Sequence, residues 1–184
     1  VITISHLGYI KRTPLADFRQ QGRGGVGAKA SAARDEDFIE YVHQANMHST
    51  MMFFTEQGRL YWIKVYEIPE GNRQSKGRAL QNMINIQKGD KVCAFIHVKN
   101  LSDQEYVQNH YLIFATKNGL MKKTTLESYS RPRANGIIAL GLREDDRLIR
   151  VTLTDGNSQM LVASYNGKVV RFPEDTVRPM GRTA

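Results

Sequence analysis

Short apolar runs alternate with short polar segments along the whole chain. Four runs stand out: Val1–Ile4, Met51–Phe54, Tyr111–Ala115 and Met160–Ala163. Each has four or five residues and is followed by a polar segment that contains a glycine, a pattern typical of β-strands that end in tight turns. The pattern predicts an all-β chain built from hairpins.

The polar segments that follow these runs resemble one another. Each begins with Ser or Thr, has glycine at its fourth position and continues into a second β-rich stretch, as in Ser5–Arg12, Thr55–Trp62, Thr116–Lys123 and Ser164–Arg171. Asn118-Gly119 and Asn166-Gly167 predict hairpin turns, since such turns need a positive φ. The four glycines are 50, 61 and 48 residues apart, close to the roughly 40 to 50 residues of propeller blades. We therefore divide the chain into repeats 1–50, 51–110, 111–159 and 160–184.

Two further features recur behind each hairpin. The first is a loop rich in glycine and basic residues, at 24–29, 75–78, 131–136 and 178–182. The second is an acidic turn that leads into an apolar strand, at 35–42, 89–96 and 145–151. The chain is expected to form one domain of propeller-like blades, each of about four short antiparallel strands, with three blades complete and one partial. The extra length of the second repeat, Asn100–Asn109, predicts a polar surface insertion.

Helix is the alternative for two segments. Residues 28–44 contain four alanines and fit an amphipathic helix, and Arg78–Ile86 has a similar pattern. Alignment of the repeats favours strand for the first, because it places Phe38–Val42 opposite the β-rich Val92–Ile96. A short helix in either loop stays open.

The charge is basic and unevenly distributed. Lys plus Arg number 26 against 18 Asp plus Glu, for a net charge of +8 and an isoelectric point near 9.7. Residues 1–34 carry six basic and one acidic side chain, as do residues 111–143, whereas residues 35–50 carry four acidic and no basic ones. Blades related by rotation present equivalent parts to the same region, so the basic halves predict a discontinuous basic belt suited to a polyanion, with double-stranded DNA as the expected partner.

Basic residues near the hairpins and loops are the candidate phosphate contacts. They are Lys11, Arg12, Lys29, Arg59, Lys64, Arg73, Lys76, Arg78, Lys117, Lys122, Lys123, Arg131, Arg133, Lys168, Arg171, Arg178 and Arg182, together with Arg23. Phosphate contacts position DNA without reading its sequence. The chain has no helix-turn-helix or zinc-finger signature, so we expect binding that does not depend on sequence.

Other classes of function lack their motifs. The single Cys93 excludes an internal disulfide and fits a cytoplasmic location. The five histidines do not have metal-ligand spacing, and no phosphate-binding G-x-x-x-x-G-K-[ST] loop is present. No run approaches the roughly 20 apolar residues of a membrane span. A chain that starts at Val1 within an apolar run is expected to be a piece of a longer protein.

The densest local signal is the glycine-rich segment Arg19–Lys29. Gly22, Gly24 and Gly27 satisfy G-x-G-x-x-G, but the preceding Leu15–Gln21 is polar and is not the buried strand that a dinucleotide site requires. Glycines also let backbone amides approach a phosphate closely, and Arg23 adds charge. The segment therefore predicts an exposed phosphate-contacting loop.

This segment resembles the box motif Q-R-R-G-G-[KR]-G of the C-terminal domain of the DNA gyrase A subunit family. The match holds at Gln21, Arg23, Gly24, Gly25 and Gly27, while Gly22 and Val26 stand where the family has basic residues. The resemblance covers essentially the whole chain, including Thr176–Ala184, which is similar to the loop of a later blade.

The resemblance implies a β-pinwheel, a propeller relative in which neighbouring blades exchange a hairpin. It also implies that DNA wraps around the basic outer rim, through the box residues 21–27 among others, and supports ATP-dependent negative supercoiling by a type IIA topoisomerase. Catalytic residues, ATP and Mg²⁺ would belong to other domains or subunits, as would the contacts to gyrase B subunits and to a second A subunit in an A2B2 assembly in the bacterial cytoplasm. The alternatives are the corresponding domain of topoisomerase IV, whose box is degraded or absent, and a propeller scaffold that binds proteins.

Overall fold

The computed structural model describes residues 1–18, 22–27 and 36–184. In these ranges the strands are β1 (Ile2–Ser5), β2 (Tyr9–Arg12), β3 (Ile39–His43), β4 (Thr50–Thr55), β5 (Arg59–Lys64), β6 (Arg78–Ala79), β7 (Val92–Val98), β8 (Tyr111–Thr116), β9 (Met121–Thr125), β10 (Ile137–Ile138), β11 (Leu148–Thr154), β12 (Gln159–Ala163) and β13 (Val169–Pro173). One α-helix, α1, spans Gln104–Gln108, and 3-10 turns span Leu15–Asp17, Val65–Glu67, Leu80–Asn82, Leu126–Tyr129 and Glu174–Thr176.

Four antiparallel hairpins organise these strands, as the repeated segments predict. They are β1–β2, β4–β5, β8–β9 and β12–β13. The glycine in each turn has a φ between +77° and +83°, a region that side chains other than glycine rarely adopt. The sheets built on the hairpins, which we call blades 1 to 4, have four, four, three and two strands.

Neighbouring blades exchange strands. Strand β6 follows the second hairpin in the chain, yet it pairs with β2 of blade 1 through Ile10 and Arg78. Strand β10 follows the third hairpin and pairs with β5 of blade 2 in the same way. The fourth strand of a blade is thus supplied by the chain that follows the next hairpin, which is the exchange expected of a β-pinwheel. Next to blade 3, a single parallel bridge joins Lys123 to Pro179, as a parallel bridge joins Arg12 to Glu70 next to blade 1.

Strand β4 lies at the centre of the packed core. All six of its residues are buried, because side chains alternate across a strand and both faces of this one are covered. Met51 and Phe53 pack in an apolar cluster with blade 1, whereas Met52 and Phe54 pack in a second cluster with blade 3. Burial of each such side chain contributes about 1.5–3 kcal/mol, so this one strand joins three blades.

The two segments with a helical alternative resolve differently. Residues 28–35 lie outside the described ranges, but Ile39–His43 is strand β3, paired with β1. In the second segment, two residues of strand β6 are followed by the 3-10 turn Leu80–Asn82. The second segment therefore contains a short helical turn, at the point where the chain leaves the outer edge of blade 1.

The expected polar surface insertion at Asn100–Asn109 is wrong in part. Its second half, Gln104–Gln108, folds as helix α1, and Asp103 caps the helix by accepting a hydrogen bond from the N–H of Tyr106. Leu101 and Val107 are buried in the cluster shared by blades 2 and 3. Two apolar residues among eight polar ones are enough to anchor the segment to the core.

Candidate nucleic-acid interface

Four basic loops occupy related places in the blades, and we call residues 22–27, 71–77, 131–136 and 178–182 the rim loops. Each is reached through a 3-10 turn that follows the second strand of a hairpin. Loops 71–77 and 131–136 lead directly into the exchanged strands β6 and β10, at the outer edges of blades 1 and 2. In loop 178–182, the N–H of Met180 donates to the carbonyl of Lys123 on β9, at 2.8 Å. These three loops therefore run along the outer edges of three successive blades.

Glycine is needed where two of the rim loops meet the neighbouring strand. Gly77 has a φ of +81°, and a Cβ at this position would lie 2.5 Å from the carbonyl oxygen of Ile10. Gly136 has a φ of +68°, and its Cβ would lie 2.6 Å from the carbonyl oxygen of Leu60. Both contacts are shorter than a side chain tolerates, so these glycines let the loops lie directly on the strands.

Rim loop 22–27 contains most of the box motif. All six residues are exposed, and Gly24 and Gly27 have φ values of +79° and +80°, with no neighbouring atom within 4 Å of where a Cβ would lie. The N–H of Gly25 donates to the carbonyl of Gly22 at 3.2 Å. A phosphate in solution can therefore reach the backbone of this loop and the Arg23 side chain. Gln21 and Lys29 lie outside the described residues.

Most of the remaining candidate contacts are on the surface. Fully exposed are Lys76, Arg78, Lys117, Arg131, Arg133, Lys168, Arg171 and Arg178, while Lys64 and Arg73 are half-buried. Within the described ranges none of these ten side chains forms an ion pair. Their charges are therefore not neutralised by neighbouring carboxylates.

Three arginines among the candidates are partly committed to the fold. Arg12 donates from Nε to the carbonyl of Ile68, at 2.8 Å, and pairs with Glu70. The Nη2 of Arg59 donates to the carbonyl of Asn135 at 3.0 Å, and the Nη1 of Arg182 donates to that of Ile138 at 2.7 Å. Arg12 joins β2 to the segment just before rim loop 71–77, Arg59 joins β5 to rim loop 131–136, and Arg182 joins rim loop 178–182 to the exchanged strand β10. None of the three side chains is fully buried.

The structure corrects three of the expected surface contacts. Lys11, Lys122 and Lys123 are only 2%, 7% and 4% exposed. Lys11 donates to backbone carbonyls of rim loop 71–77, and Lys122 donates to a carbonyl of rim loop 178–182. Lys123 pairs with the buried Glu174 at 3.0 Å. Lys122 and Lys123 are neighbours on β9 and point to opposite faces, and both faces are covered at these positions. The ammonium groups of all three lysines therefore act inside the fold rather than on DNA.

Sequence reasoning missed what holds the hairpin turns in place. The hydroxyl oxygens of Ser5, Thr55, Thr116 and Ser164 accept a hydrogen bond from the N–H that follows the turn glycine, at 3.0–3.2 Å. In three blades an aspartate of the acidic turn also accepts from the residue before that glycine. The signal was present, because Ser or Thr opens every repeated segment and an aspartate recurs in every acidic turn.

A metal-ligating cluster and the single thiol are the further kinds of site to consider in the part of the chain that the structure describes. The described residues contain no group of three or more His, Cys, Asp or Glu placed to hold a metal ion. Burial raises the pKa of the Cys93 thiol to about 12, so this thiol is protonated at neutral pH and unreactive. None of the helices in the described ranges has the length and apolar character needed to cross a membrane.

Comparison with known proteins agrees with this geometry. The family model described as "DNA gyrase C-terminal domain, beta-propeller" matches residues 1–46, 49–99, 110–155 and 159–184. The chain is 44% identical to the DNA gyrase A subunit of Haemophilus influenzae and 45% identical to that of Salmonella typhimurium, in both cases over all 184 residues. It spans about a fifth of the length of these relatives, 20% of each.

Solved structures of similar fold are also found. The C-terminal domain of DNA topoisomerase IV superposes with a TM-score of 0.79 at 26% identity, over 99% of this chain and 54% of that one. The DNA gyrase A C-terminal domain gives a TM-score of 0.73 at 22% identity, over 99% and 57%. The second similarity supports the fold, and the family match together with the fold confirms the predicted β-pinwheel. The chain belongs to the DNA gyrase C-terminal domain family.

Proposed function

We propose that this chain binds double-stranded DNA without reading its sequence and wraps it around the rim loops with a fixed handedness. The observation that carries the proposal is that rim loop 22–27, with Arg23 and its glycine-rich backbone, is exposed. This loop corresponds in position to the other three basic rim loops. Exposed arginines and lysines also lie in the rim loops that follow the other hairpins, at Lys76, Arg131, Arg133 and Arg178. Such a row of charges on a curved edge favours a bent duplex, because phosphate contacts follow the backbone and not the bases.

In the parent protein, wrapping would present a DNA segment for strand passage by a type IIA topoisomerase of the gyrase kind. Identity of 44–45% over the whole chain with the A subunit of DNA gyrase supports this assignment. ATP, Mg²⁺, the B subunits and the second A subunit of an A2B2 assembly would be bound by other parts of the enzyme, in the bacterial cytoplasm. Within the pinwheel itself the role is mechanical, since DNA is held and bent without covalent chemistry.

A linking-number experiment tests the proposal. Relaxed circular DNA is incubated with the chain at low salt, nicked, religated and deproteinised, and its topoisomers are separated. Chiral wrapping shifts the distribution in one direction in proportion to the bound protein. An unshifted distribution in the presence of bound protein contradicts wrapping.

Salt dependence separates DNA binding from the scaffold alternative. If six to ten basic side chains neutralise phosphates, affinity falls about 10³- to 10⁵-fold between 50 and 200 mM salt. A protein-binding scaffold would show neither retention of DNA at low ionic strength nor this steep slope.

The topoisomerase IV alternative rests on the TM-score of 0.79 to that enzyme's C-terminal domain. The two assignments differ in how much the box matters. We expect Arg23→Ala in the whole parent enzyme to abolish negative supercoiling while relaxation continues. A parent enzyme that introduces no negative supercoils even with the intact box would favour topoisomerase IV.

A further inference from the structure

Lys11 has an unusual environment for a lysine on a β-strand. It lies on β2 and is 2% exposed, and its ammonium group donates to three backbone carbonyls of the next rim loop. The acceptors are the oxygens of Asn72 at 2.8 Å, Arg73 at 3.1 Å and Ser75 at 2.7 Å. An ammonium has three protons, so its whole donor capacity is used on this loop.

Rim loop 71–77 is fixed by further contacts on either side of the ammonium. The N–H of Gly71 donates to the carbonyl of Arg12 at 2.9 Å, and Gly77 lies directly on Ile10. Within the loop, the side chain of Asn72 accepts from the N–H groups of Gln74 and Ser75, at 3.0 and 2.9 Å. The loop backbone is therefore turned inward onto Lys11, which leaves the basic side chains of this segment on its outer side.

We propose that Lys11 is a positioning residue for DNA binding, because its ammonium holds rim loop 71–77 in the one conformation that directs Arg73, Lys76 and Arg78 toward successive phosphates. This inference rests on the proposed function. Without the central ammonium, three carbonyls would face one another unpaired, and the loop would reorganise to reach water. Arg73 and Lys76 of the loop, and Arg78 directly after it, would then have to be ordered again on each binding event, which weakens association.

The position of Lys11 also contacts a rim loop in blades 2 and 3. The residue three positions after the turn glycine is Lys11 in blade 1, Tyr61 in blade 2 and Lys122 in blade 3. Lys122 donates to the carbonyl of Arg182 in rim loop 178–182, and the Tyr61 ring fits against Gly136 of rim loop 131–136. In these three hairpins, the same position thus contacts the rim loop that belongs to the next hairpin along the chain.

Burial of a lysine at this position has a cost that only the loop contacts offset. Desolvation lowers the pKa of Lys11. Desolvation and, to a smaller extent, repulsion by the charge of Arg182 lower the pKa of Lys122. An apolar side chain at this position would avoid this cost. The carbonyl contacts are what the lysine provides and an apolar side chain does not.

The test is the salt dependence of DNA binding by Lys11→Met, which keeps the aliphatic stem and removes the donors. Binding of a fluorescent duplex is measured by anisotropy from 50 to 200 mM salt, well below the melting temperature of each variant. The slope of log K against log[salt] is about −0.9 per neutralised phosphate. We expect this slope to be shallower by about 1 to 3 for Lys11→Met, because up to three phosphate contacts are lost.

The matched control is Lys88→Met, which removes one positive charge from an exposed loop. It loses the same formal charge as Lys11→Met but leaves the rim loops intact, and its slope should equal that of the unmodified chain. If Lys11→Met and Lys88→Met have the same slope, the inference is overturned while the proposed function stands. If the unmodified chain itself shows no salt-dependent binding, both are overturned.

A second pair of variants decides the question if Lys11→Met fails to fold. Gly77→Ala displaces the same loop from its other side, because the new Cβ would lie 2.5 Å from the Ile10 carbonyl oxygen. Gly89→Ala has the same backbone strain, with a φ of +85°, but no neighbour within 4 Å. We expect a shallower slope for Gly77→Ala alone, and equal slopes for the two variants would overturn the inference.

Discussion

The carboxylate of Asp146 accepts a hydrogen bond from the backbone N–H of Asn118, with 3.0 Å between Oδ1 and N. Asp146 lies just before β11, and Asn118 lies in the turn of the β8–β9 hairpin. Asp90 holds the turn of blade 2 in the same way, through the N–H of Gln57 at 3.1 Å. In each case the acidic turn, which is far away in sequence, fixes the end of the hairpin to the strand that pairs with it.

Replacement of such an aspartate should loosen the hairpin turn. Asp90→Ala removes the acceptor for the N–H groups of Gln57 and Lys91, and we expect a loss of about 1–2 kcal/mol in the free energy of unfolding. The measurement is urea denaturation followed by fluorescence of Trp62. The control is Asp175→Ala, at an exposed aspartate of the last 3-10 turn, which should leave the urea midpoint unchanged. Equal midpoints for the two variants would show that Asp90 does not stabilise the hairpin turn.

The same turns predict a loss of stability in acid. Burial opposes ionisation of Asp37, but hydrogen bonds from the Ser5 hydroxyl and from backbone N–H groups hold its pKa below the usual value. The balance is the same for Asp146, which is hydrogen-bonded by Thr116. Since both pKa values are lower in the folded state, their stabilisation is complete above the unfolded value of about 4 and is lost as the pH falls through the folded values.

Denaturation midpoints measured from pH 7 to pH 2.5 check this expectation. The double variant Asp37→Asn, Asp146→Asn should be less stable at pH 7 and should lose less stability below about pH 4 than the unmodified chain. Burial also lowers the pKa of His43 and His97. The double variant and the unmodified chain should therefore both lose some stability as the pH falls below about 6.5, the pKa of an unfolded histidine. Parallel curves below pH 4 would contradict the assignment.

The buried ion pair between Lys123 and Glu174 should be essential for the contact of blade 3 with blade 4. Glu174 is fully buried and also accepts from the Thr154 hydroxyl at 2.5 Å and from the N–H of Ser158 at 3.2 Å. Glu174→Gln leaves the Lys123 ammonium buried without a counter-charge, which typically costs about 3–5 kcal/mol. The free energy of unfolding is the measurement, and the double variant Lys123→Met, Glu174→Leu should recover much of the loss. A double variant as unstable as the single one would show that the loss does not come from the unpaired charge.

Restoring the box pattern should strengthen DNA binding. Val26 is fully exposed, at 103% relative accessibility, in rim loop 22–27, so a longer side chain there meets no steric obstacle. We expect Val26→Lys to add one phosphate contact and to steepen the slope of log K against log[salt] by about 0.9. Val169→Lys adds the same charge at an exposed position on β13 and serves as the control; equal gains from the two would mean that net charge and not the box position is responsible.

Loss of the box should affect wrapping more than folding. Arg23 is exposed, so Arg23→Ala should change the free energy of unfolding by less than about 0.5 kcal/mol. The linking-number shift per bound protein should fall, and the double replacement of Gly24 and Gly25 by Ala should reduce it further. Wrapping equal to that of the unmodified chain in both variants would argue against a role of the box in DNA contact.

The hairpins could be predicted from the sequence because their determinants are local. A β-rich run, a Ser or Thr and a glycine at the fourth position are enough to specify two strands and the turn between them. The exposure of the glycine-rich segment followed from the same kind of argument, since a segment with almost no apolar side chains has nothing to bury. Helix α1 was missed because only Leu101 and Val107 anchor it, too few for a visible helical period.

The inward orientation of three lysines could not be predicted in this way. Lys11, Lys122 and Lys123 look like surface charges in the sequence, and their burial depends on carbonyls and a carboxylate from 51 to 64 residues further along the chain. The exchanged strands could not be predicted for the same reason. The two residues of β6 have no strand pattern of their own, and they form a strand because they pair with β2, which is distant in the sequence.

By itself the amino-acid sequence determined the repeat, the hairpins, the basic loops and the exposed glycine segment, because each follows from neighbouring residues and from the balance of apolar and charged side chains. Only the tertiary structure decided which cations face solvent and which are used inside the fold. Side chains alternate between the two faces of a strand, and the neighbouring parts of the fold decide whether one face or both faces are buried. For Lys11 that neighbour is the rim loop of the next blade, and the ammonium is stable there because three carbonyls replace the water it has lost.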